Sequence, residues 1–229
     1  MENKLKDMLK TDNYKYPSHF FSAWDDFTMH IPNWKWLFKK SKGQDNLNFL
    51  EIGTAQGRAT VWLLEEVLNG KNSHIITVDV NRVQRAEKEG CSLITDDTVV
   101  DIDVVDNLKP YIEDGKCTFI ESNSKTFLKY FTSDVVKRHE NGALEIPQKI
   151  PHIFHCIYID GSHDKADVLY DIINSFHLLH FGGVMILDDY RWGECGKGID
   201  SFLTAYEDQI TVLHKQDQVF LQRKQNDKS

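Results

Sequence analysis

Four apolar runs in this sequence each end in a carboxylate. The run Asn48-Phe49-Leu50-Glu51-Ile52 carries Glu51, residues 74–78 lead into Asp79, residues 154–159 into Asp160, and residues 184–187 into Asp188 and Asp189. Ligands of an open parallel sheet lie in the crevice beyond the carboxyl ends of its strands, where such side chains face the ligand and not the core. One acid at a strand end means little, but four in successive units mark a site. Glycines follow the first: Glu51-Ile52-Gly53-Thr54-Ala55-Gln56-Gly57 reads E-x-G-x-x-x-G. Glycine permits a tight strand-to-helix turn and leaves room for a ligand to press against the backbone. The spacing is not the G-x-G-x-x-G that sets a helix N-terminus against pyrophosphate, and taken alone it suits a structural turn as well as a ligand loop. Asp79 is placed as the acid that commonly grips a ribose diol. Together the two features point to a nucleoside ligand without phosphates.

The elements that must position these residues are legible in outline. After Ser41-Lys42-Gly43 strands and helices alternate, the mark of a parallel α/β sheet. Strands are expected at residues 48–52, 74–78, 116–120, 154–159 and 184–187, with Phe181-Gly182-Gly183 as the turn into the last. Val61, Leu64 and Leu68 lie on one face of a helix stopped by Asn69-Gly70, and a second helix is expected over about residues 125–137. Leu169, Ile172, Ile173, Phe176 and Leu179 recur at helical spacing, as do Ile199, Phe202, Leu203 and Tyr206. Residues 140–151 are rich in turn formers and read as a loop. Residues 210–213 and 218–222, split by Lys215-Gln216-Asp217, read as a β-hairpin. Residues 80–115 hold a charged helix candidate and then an acidic, weakly patterned stretch. We divide the chain into an N-terminal aromatic-rich helical segment, 1–45, acting as a lid or packing extension, and a main domain, 46–229. Nine of the 26 aromatic residues fall between Tyr14 and Phe38. Most are expected to pack a leading helix onto the sheet; Trp24, beside Asp25-Asp26, is the candidate for substrate contact, and a homodimer contact is the other role open to the stretch.

Composition narrows the function classes. The chain has 229 residues, 41% hydrophobic, with 35 acidic against 27 basic side chains and a net charge of −8. That is a globular composition, neither disordered nor fibrous. An acidic chain without a long basic block is a poor nucleic-acid binder, so no nucleic-acid partner is expected. The charge excess sits mainly between Asp96 and Asp114, where seven acids face one base, Lys109, and it reads as solvated surface. No run approaches 18 apolar residues, so no membrane partner is expected, and Met1-Glu2-Asn3-Lys4 leads into no signal-like apolar stretch. Cys91, Cys117, Cys156 and Cys195 are widely spaced with no C-x-x-C pair, consistent with idle thiols in a reducing, cytoplasmic location. His30, His74 and His177 show no ligand spacing.

Taken in order, Phe49-Leu50-Glu51-Ile52-Gly53 with Gly57-Arg58, then Ile157-Tyr158-Ile159-Asp160-Gly161-Ser162-His163, then Gly182-Gly183-Val184-Met185-Ile186-Leu187-Asp188-Asp189-Tyr190 resemble the class I S-adenosylmethionine-dependent methyltransferases. More narrowly, the chain is similar to a small group of O-methyltransferases related to catechol-type and macrolide-sugar enzymes. The resemblance covers roughly residues 47–224. It implies an α/β, Rossmann-like seven-stranded mostly parallel sheet with a C-terminal antiparallel hairpin and helices on both faces. It implies S-adenosylmethionine as cofactor, with Gly53, Thr54, Ala55, Gln56 and Gly57 along the methionine part, Glu51 near its amino group, Asp79 on the ribose and Asp160 at the same edge. Ser122-Asn123-Ser124 falls where the family's adenine loop sits, although Ser122 and Asn123 replace its usual glycine and acid; Asn123 and Ser124 are the contacts implied. In metal-dependent relatives the positions of Asp160, Asp188 and Asp189 bind Mg²⁺, and three carboxylates suit a hard cation. His163, three residues after Asp160, stands where catechol-type relatives carry a basic catalytic residue. It is the candidate general base; a helix cap or a carboxylate partner is the alternative role. Where macrolide-sugar relatives place an acid, two residues after the metal Asp, this chain has Ser162. Tyr190-Arg191-Trp192 follows the acidic pair on a loop expected at the mouth, where specificity is commonly carried.

The expected function is S-adenosylmethionine-dependent O-methylation of a small hydroxylated molecule, assisted by Mg²⁺, with His163 and Asp160 catalytic. The alternatives are a metal-independent methyltransferase acting on another acceptor, with Asp188-Asp189 structural, and a non-catalytic protein that holds the cofactor.

Overall fold

The computed structural model describes residue 25 and residues 27–80, 104–133, 137–138, 144–145 and 153–225. A 3-10 turn, Thr28–His30, runs into α1 (Ile31–Leu37); then follow β1 (Asn48–Ile52), α2 (Arg58–Glu66), β2 (His74–Asp79), α3 (Val104–Glu113), β3 (Cys117–Glu121) and α4 (Ser124–Ser133). Two short strands, β4 (Lys137–Arg138) and β5 (Leu144–Glu145), precede β6 (Phe154–Ile159), α5 (Lys165–Phe176), β7 (Leu179–Leu187), α6 (Gly193–Ala205), β8 (Ile210–Lys215) and β9 (Val219–Arg223).

Seven strands form one sheet in the order β3-β2-β1-β6-β7-β9-β8, the expected Rossmann-like architecture with antiparallel C-terminal strands. β6 runs parallel to both β1 and β7, while β9 is antiparallel to β7 and to β8. The strand order reverses between β1 and β6, and at such a switch point the connections leave in opposite directions and open a crevice. Glu51 pairs in register with Tyr158 and Ile52 with Ile159 at this point.

The chain divides into two compact units. The larger takes residues 48–53, 76–91 and 119–229. Its core is built by Leu50, Ile157, Met185 and Leu221, which lie side by side across β1, β6, β7 and β9, together with Ile172, Phe176, Ile199 and Phe202 from α5 and α6. The central strands are buried on both faces, which is why residues 154–159 read as a continuous apolar run and not an alternating one. Arg223, buried on β9, donates to the carbonyls of Phe176 (3.0 Å) and Leu179 (2.7 Å), and its guanidinium lies over the rings of Phe176 and Phe181.

The smaller unit takes residues 1–47, 54–75 and 92–118. Within it Phe27, Trp34, Phe38 and Trp62 form a buried aromatic cluster, with Trp34 edge-on to Phe27 at 4.8 Å and to Trp62 at 5.8 Å. Phe27, Trp34 and Phe38 are thus buried against one another and Trp62 of α2; Trp36 is exposed, and Trp24 lies outside the described residues.

Three boundaries differ from expectation. Phe181-Gly182-Gly183 is not a turn into β7 but part of it. Leu179 pairs with Phe154 while Val184 pairs with Cys156, so the intervening residues form a bulge at Gly182, whose φ is +79°. Leu179 accordingly belongs to the strand and not to α5. Leu144–Glu145, within the expected loop, pairs antiparallel with Lys137–Arg138, and α4 ends at Ser133.

Candidate active site

The carboxyl edge of the sheet is laced by four backbone hydrogen bonds. Ser122 N–H donates to Asp79 O (2.7 Å), Gly53 N–H to Val78 O (2.8 Å), Asp160 N–H to Ile52 O (2.8 Å) and Asp188 N–H to Ile159 O (3.0 Å). The chain thus holds Asp79, Gly53, Asp160 and Asp188 along one edge, the placement expected from the strand ends. Gly53 has φ +96°, and a Cβ there would stand 1.8 Å from the Asp160 carbonyl oxygen. The space a side chain would need is filled by the neighbouring strand's backbone, so this glycine is required by strand packing before any ligand is considered.

Glu51 is fully buried, and Thr77 donates its hydroxyl to Glu51 Oε2 at 2.5 Å. A carboxylate removed from water needs such donors. Burial, and after it the Glu51 charge, push the Cys156 thiol well up. Asp79 is half-buried and accepts the Val80 N–H at 2.7 Å.

Tyr158 on β6 was not among the expected site residues. Its hydroxyl, on a residue only 2% exposed, lies 2.8 Å from Asp160 Oδ2 and 2.5 Å from Asp188 Oδ2. Burial, then the charges of Asp160 and Asp188, raise its phenol far above the ordinary range. Asp188 Oδ2 also accepts from Gln218 Nε2 (2.7 Å), and Oδ1 accepts the Asp189 N–H (2.8 Å). Asp189 adopts φ +56°, a left-handed conformation costly for a residue with a Cβ, and its Oδ2 lies 3.0 Å from His163 Nε2. His163 does not cap α5: Asp164 does, accepting from the N–H groups of Ala166 and Asp167. The exposed Trp192 packs its ring 4.8 Å from the His163 imidazole. The loop carrying it is tied to the final hairpin, with Tyr190 N–H donating to Asp217 O (2.8 Å) and Arg191 paired with Asp217 (3.2 Å).

Asp160, Asp188 and Asp189 line a cleft of about 10 Å³, with Ser162 and Cys195. That is room for one water or one small ion. Burial, then Asp189 and Asp160, push the Cys195 thiol up to about 11. Among the described residues no three His, Cys, Asp or Glu side chains converge as a metal cage. Asp160 and Asp188 share one hydroxyl, while Asp189 is engaged by His163. The donor set fits a hard cation held by two carboxylates with solvent completing its shell, the habit of Mg²⁺, better than the three-carboxylate set expected. A single hydroxyl proton cannot satisfy two carboxylates at once, so added positive charge between them would be favourable.

The other expected residues divide. In the smaller unit, Thr54 is buried and its carbonyl accepts the Gly57 N–H (2.7 Å), Ala55 takes φ +47°, and Gly57 takes φ +81°. Asn107 on α3, buried and also not foreseen, donates its side-chain amide to the Gln56 carbonyl at 3.0 Å. In the larger unit Asn123 is the N-cap of α4: its Oδ1 accepts the Thr126 N–H at 2.8 Å, and Ser124 begins the helix. S-N-S before a helix is an N-terminal signature in its own right. His74 bonds Gly115 O and Thr118 Oγ1, and Cys117, Cys156 and Cys195 are buried thiols outside any disulfide.

Residues 50–190 match the family described as "methyltransferase domain", and the chain belongs to it, with the Rossmann-like fold of the methyltransferases. No curated protein matches the sequence. Among solved structures, MycE methyltransferase of the mycinamycin biosynthetic pathway, in complex with Mg, SAH and mycinamycin VI, superposes with a TM-score of 0.56 at 16% identity. The match covers 92% of this chain and 52% of MycE, so this chain spans about half the length of that protein. The O-methyltransferase from Bacillus cereus, in complex with SAH, gives 0.54 at 16% identity, covering 98% of this chain and 87% of its own. The O-methyltransferase NovP gives 0.52 at 16%, covering 78% and 72%. At these identities the likeness is one of fold.

Proposed function

We propose that the chain transfers the methyl group of S-adenosylmethionine to a hydroxyl of a small molecule, with Mg²⁺ at the Asp160–Asp188 pair. The observation that carries this reading is that Asp160, Asp188 and Asp189 line one ion-sized cleft at the carboxyl edge of the sheet, with His163 paired to Asp189. Gly53 and Asp79 hold the cofactor on neighbouring strand ends, the fully buried Glu51 acts on it through its charge alone, and Asn123 and Ser124 lie at the adenine side. When bound, the sulfonium supplies an electrophilic methyl group and the divalent cation lowers the pKa of the acceptor hydroxyl.

This chain's own residues supply a base and alignment. With Nε2–H donated to Asp189, the basic nitrogen of His163 is Nδ1, and the carboxylate both fixes that tautomer and stabilises the imidazolium that forms. His163 Nδ1 would take the proton of the acceptor hydroxyl, whose oxygen would receive the methyl group that the bound cofactor supplies. Holding acceptor oxygen and methyl in register supplies much of the acceleration. Support for an oxygen acceptor comes from the MycE, Bacillus cereus and NovP likenesses and from the carboxylate chemistry of the cleft. The test is a panel of hydroxylated acceptors with methyl-labelled cofactor, run with Mg²⁺ and with EDTA. Labelled ether product that EDTA abolishes is expected; methylation that is indifferent to EDTA, or confined to nitrogen acceptors, refutes the reading.

One observation favours a second reading. Both oxygens of Asp188 are engaged by protein donors, Tyr158 and Gln218 on one and the Asp189 N–H on the other. That pattern would also serve a metal-independent enzyme in which Asp188 is structural and His163 with Asp189 carries the proton transfer alone.

A further inference from the structure

Tyr158 stands on the central strand, between Glu51 on β1 and Ile186 on β7 in register. A phenylalanine would fill the same volume, and a hydroxyl taken from water is costly unless it is bonded. Here both bonds go to carboxylates at strand ends: Asp160, two residues ahead on the same strand, and Asp188, at the end of the next. Gln218, 1% exposed just ahead of β9, reaches the same Asp188 oxygen from the opposite side of the sheet order. Two buried polar side chains, one on β6 and one just ahead of β9, thus reach one carboxylate pair, and neither is itself one of the acids.

We infer that Tyr158 is a positioning residue that sets Asp160 and Asp188 as a bidentate pair for a divalent cation, with Gln218 fixing the far side of Asp188. This rests on the proposed cation reading of the cleft. Without the phenol, Asp160 and Asp188 keep their backbone places, fixed by the Ile52 and Ile159 carbonyls, and lose the hydroxyl that holds both carboxylates in one orientation. Partners of ligands in this outer position commonly change metal affinity by about 10–100-fold.

The experiment is calorimetric or spin-resonance titration of the full chain with MnCl₂ alone, for the wild type, Tyr158→Phe and Gln218→Met, with S-adenosylhomocysteine affinity measured in parallel. Wild type should bind one Mn²⁺. Tyr158→Phe should weaken it by about 10–100-fold and Gln218→Met by about 10-fold, each within about threefold of wild type for S-adenosylhomocysteine. Parallel loss of both affinities would mean that Tyr158 only supports the fold, and overturns the inference. Unchanged Mn²⁺ affinity in both variants overturns the inference and leaves the cation reading standing. No Mn²⁺ uptake by the wild type overturns both. If Tyr158→Phe does not fold, Gln218→Met, which removes one buried amide and keeps the side-chain length, decides on the same readout.

Discussion

Replacing Gly53 by alanine separates two accounts of why a glycine follows β1. If the glycine chiefly leaves room for a ligand, alanine should weaken cofactor binding and spare stability. The geometry says otherwise: the added Cβ would lie 1.8 Å from the Asp160 carbonyl oxygen and 2.4 Å from its carbon, on backbone held at φ +96°. The backbone conformation alone costs alanine roughly 1–2 kcal/mol. Forcing an atom into filled space costs typically about 1–3 kcal/mol more, and here the obstacle is main chain that cannot rotate away. The expected loss is about 3 kcal/mol or more, which for a chain of this size is a fall in Tm of about 6–12 °C. Gly57→Ala is the internal control. It shares a positive φ, +81°, but its Cβ would meet the end of the Leu108 side chain at 3.2 Å, a contact that can yield. It should lose only about 1–2 kcal/mol. Differential scanning calorimetry of both variants against wild type reads the difference. A Gly53→Ala protein melting within 2 °C of wild type, or below the loss in Gly57→Ala, would refute the steric argument.

His163→Ala should lower the methyl-transfer rate by about 10²–10⁴-fold and flatten its acid limb, with Asp189→Asn showing a smaller loss; steady-state kinetics across pH check both. Trp34→Ala, at a side chain with no exposed surface in the aromatic cluster, should destabilise by about 3–5 kcal/mol in urea unfolding. His155 titrates below its ordinary value because of burial, then its neighbour His180, and its Nδ1 accepts the Asn48 N–H at 3.0 Å. A depressed folded-state pKa means stability that is present above the unfolded value, near 6.5, and lost as pH falls below it. Tm should therefore fall between pH 7 and pH 5, and His155→Asn, which keeps an acceptor and no titration, should shallow that fall; an unchanged slope refutes the assignment.

The strand ends were legible because burial on both faces writes itself as an unbroken apolar run: residues 48–52 and 154–159 are read at the bounds observed. The Gly182-Gly183 pair misled for a physical reason, since a glycine with φ +79° serves a bulge inside a strand as well as a turn before one. Tyr158 was hidden by the same apolar run, where a buried tyrosine looks like core. The signal that could have exposed it is its hydroxyl, which a core position needs to bond, two residues ahead of a carboxylate. Gln218 and Asn107 carried no signal at all, because each acts across the fold on a residue far away in sequence. Asn123 was legible twice, as a loop contact and as a cap, and the cap is what its Oδ1 makes.

The β8–β9 hairpin also sets the order in which the site can be completed during synthesis. A chain made only as far as Lys215 already carries Asp79, Asp160, His163, Asp188 and Asp189. It lacks Gln218, which holds Asp188, Asp217, which anchors the Tyr190 loop, and Arg223, which ties down the carbonyl ends of α5 and the start of β7. Because β9 lies between β7 and β8, the last strand made joins two strands made before it. The carboxylates of the cleft are thus synthesised first, and the side chain that braces Asp188 from the hairpin arrives last.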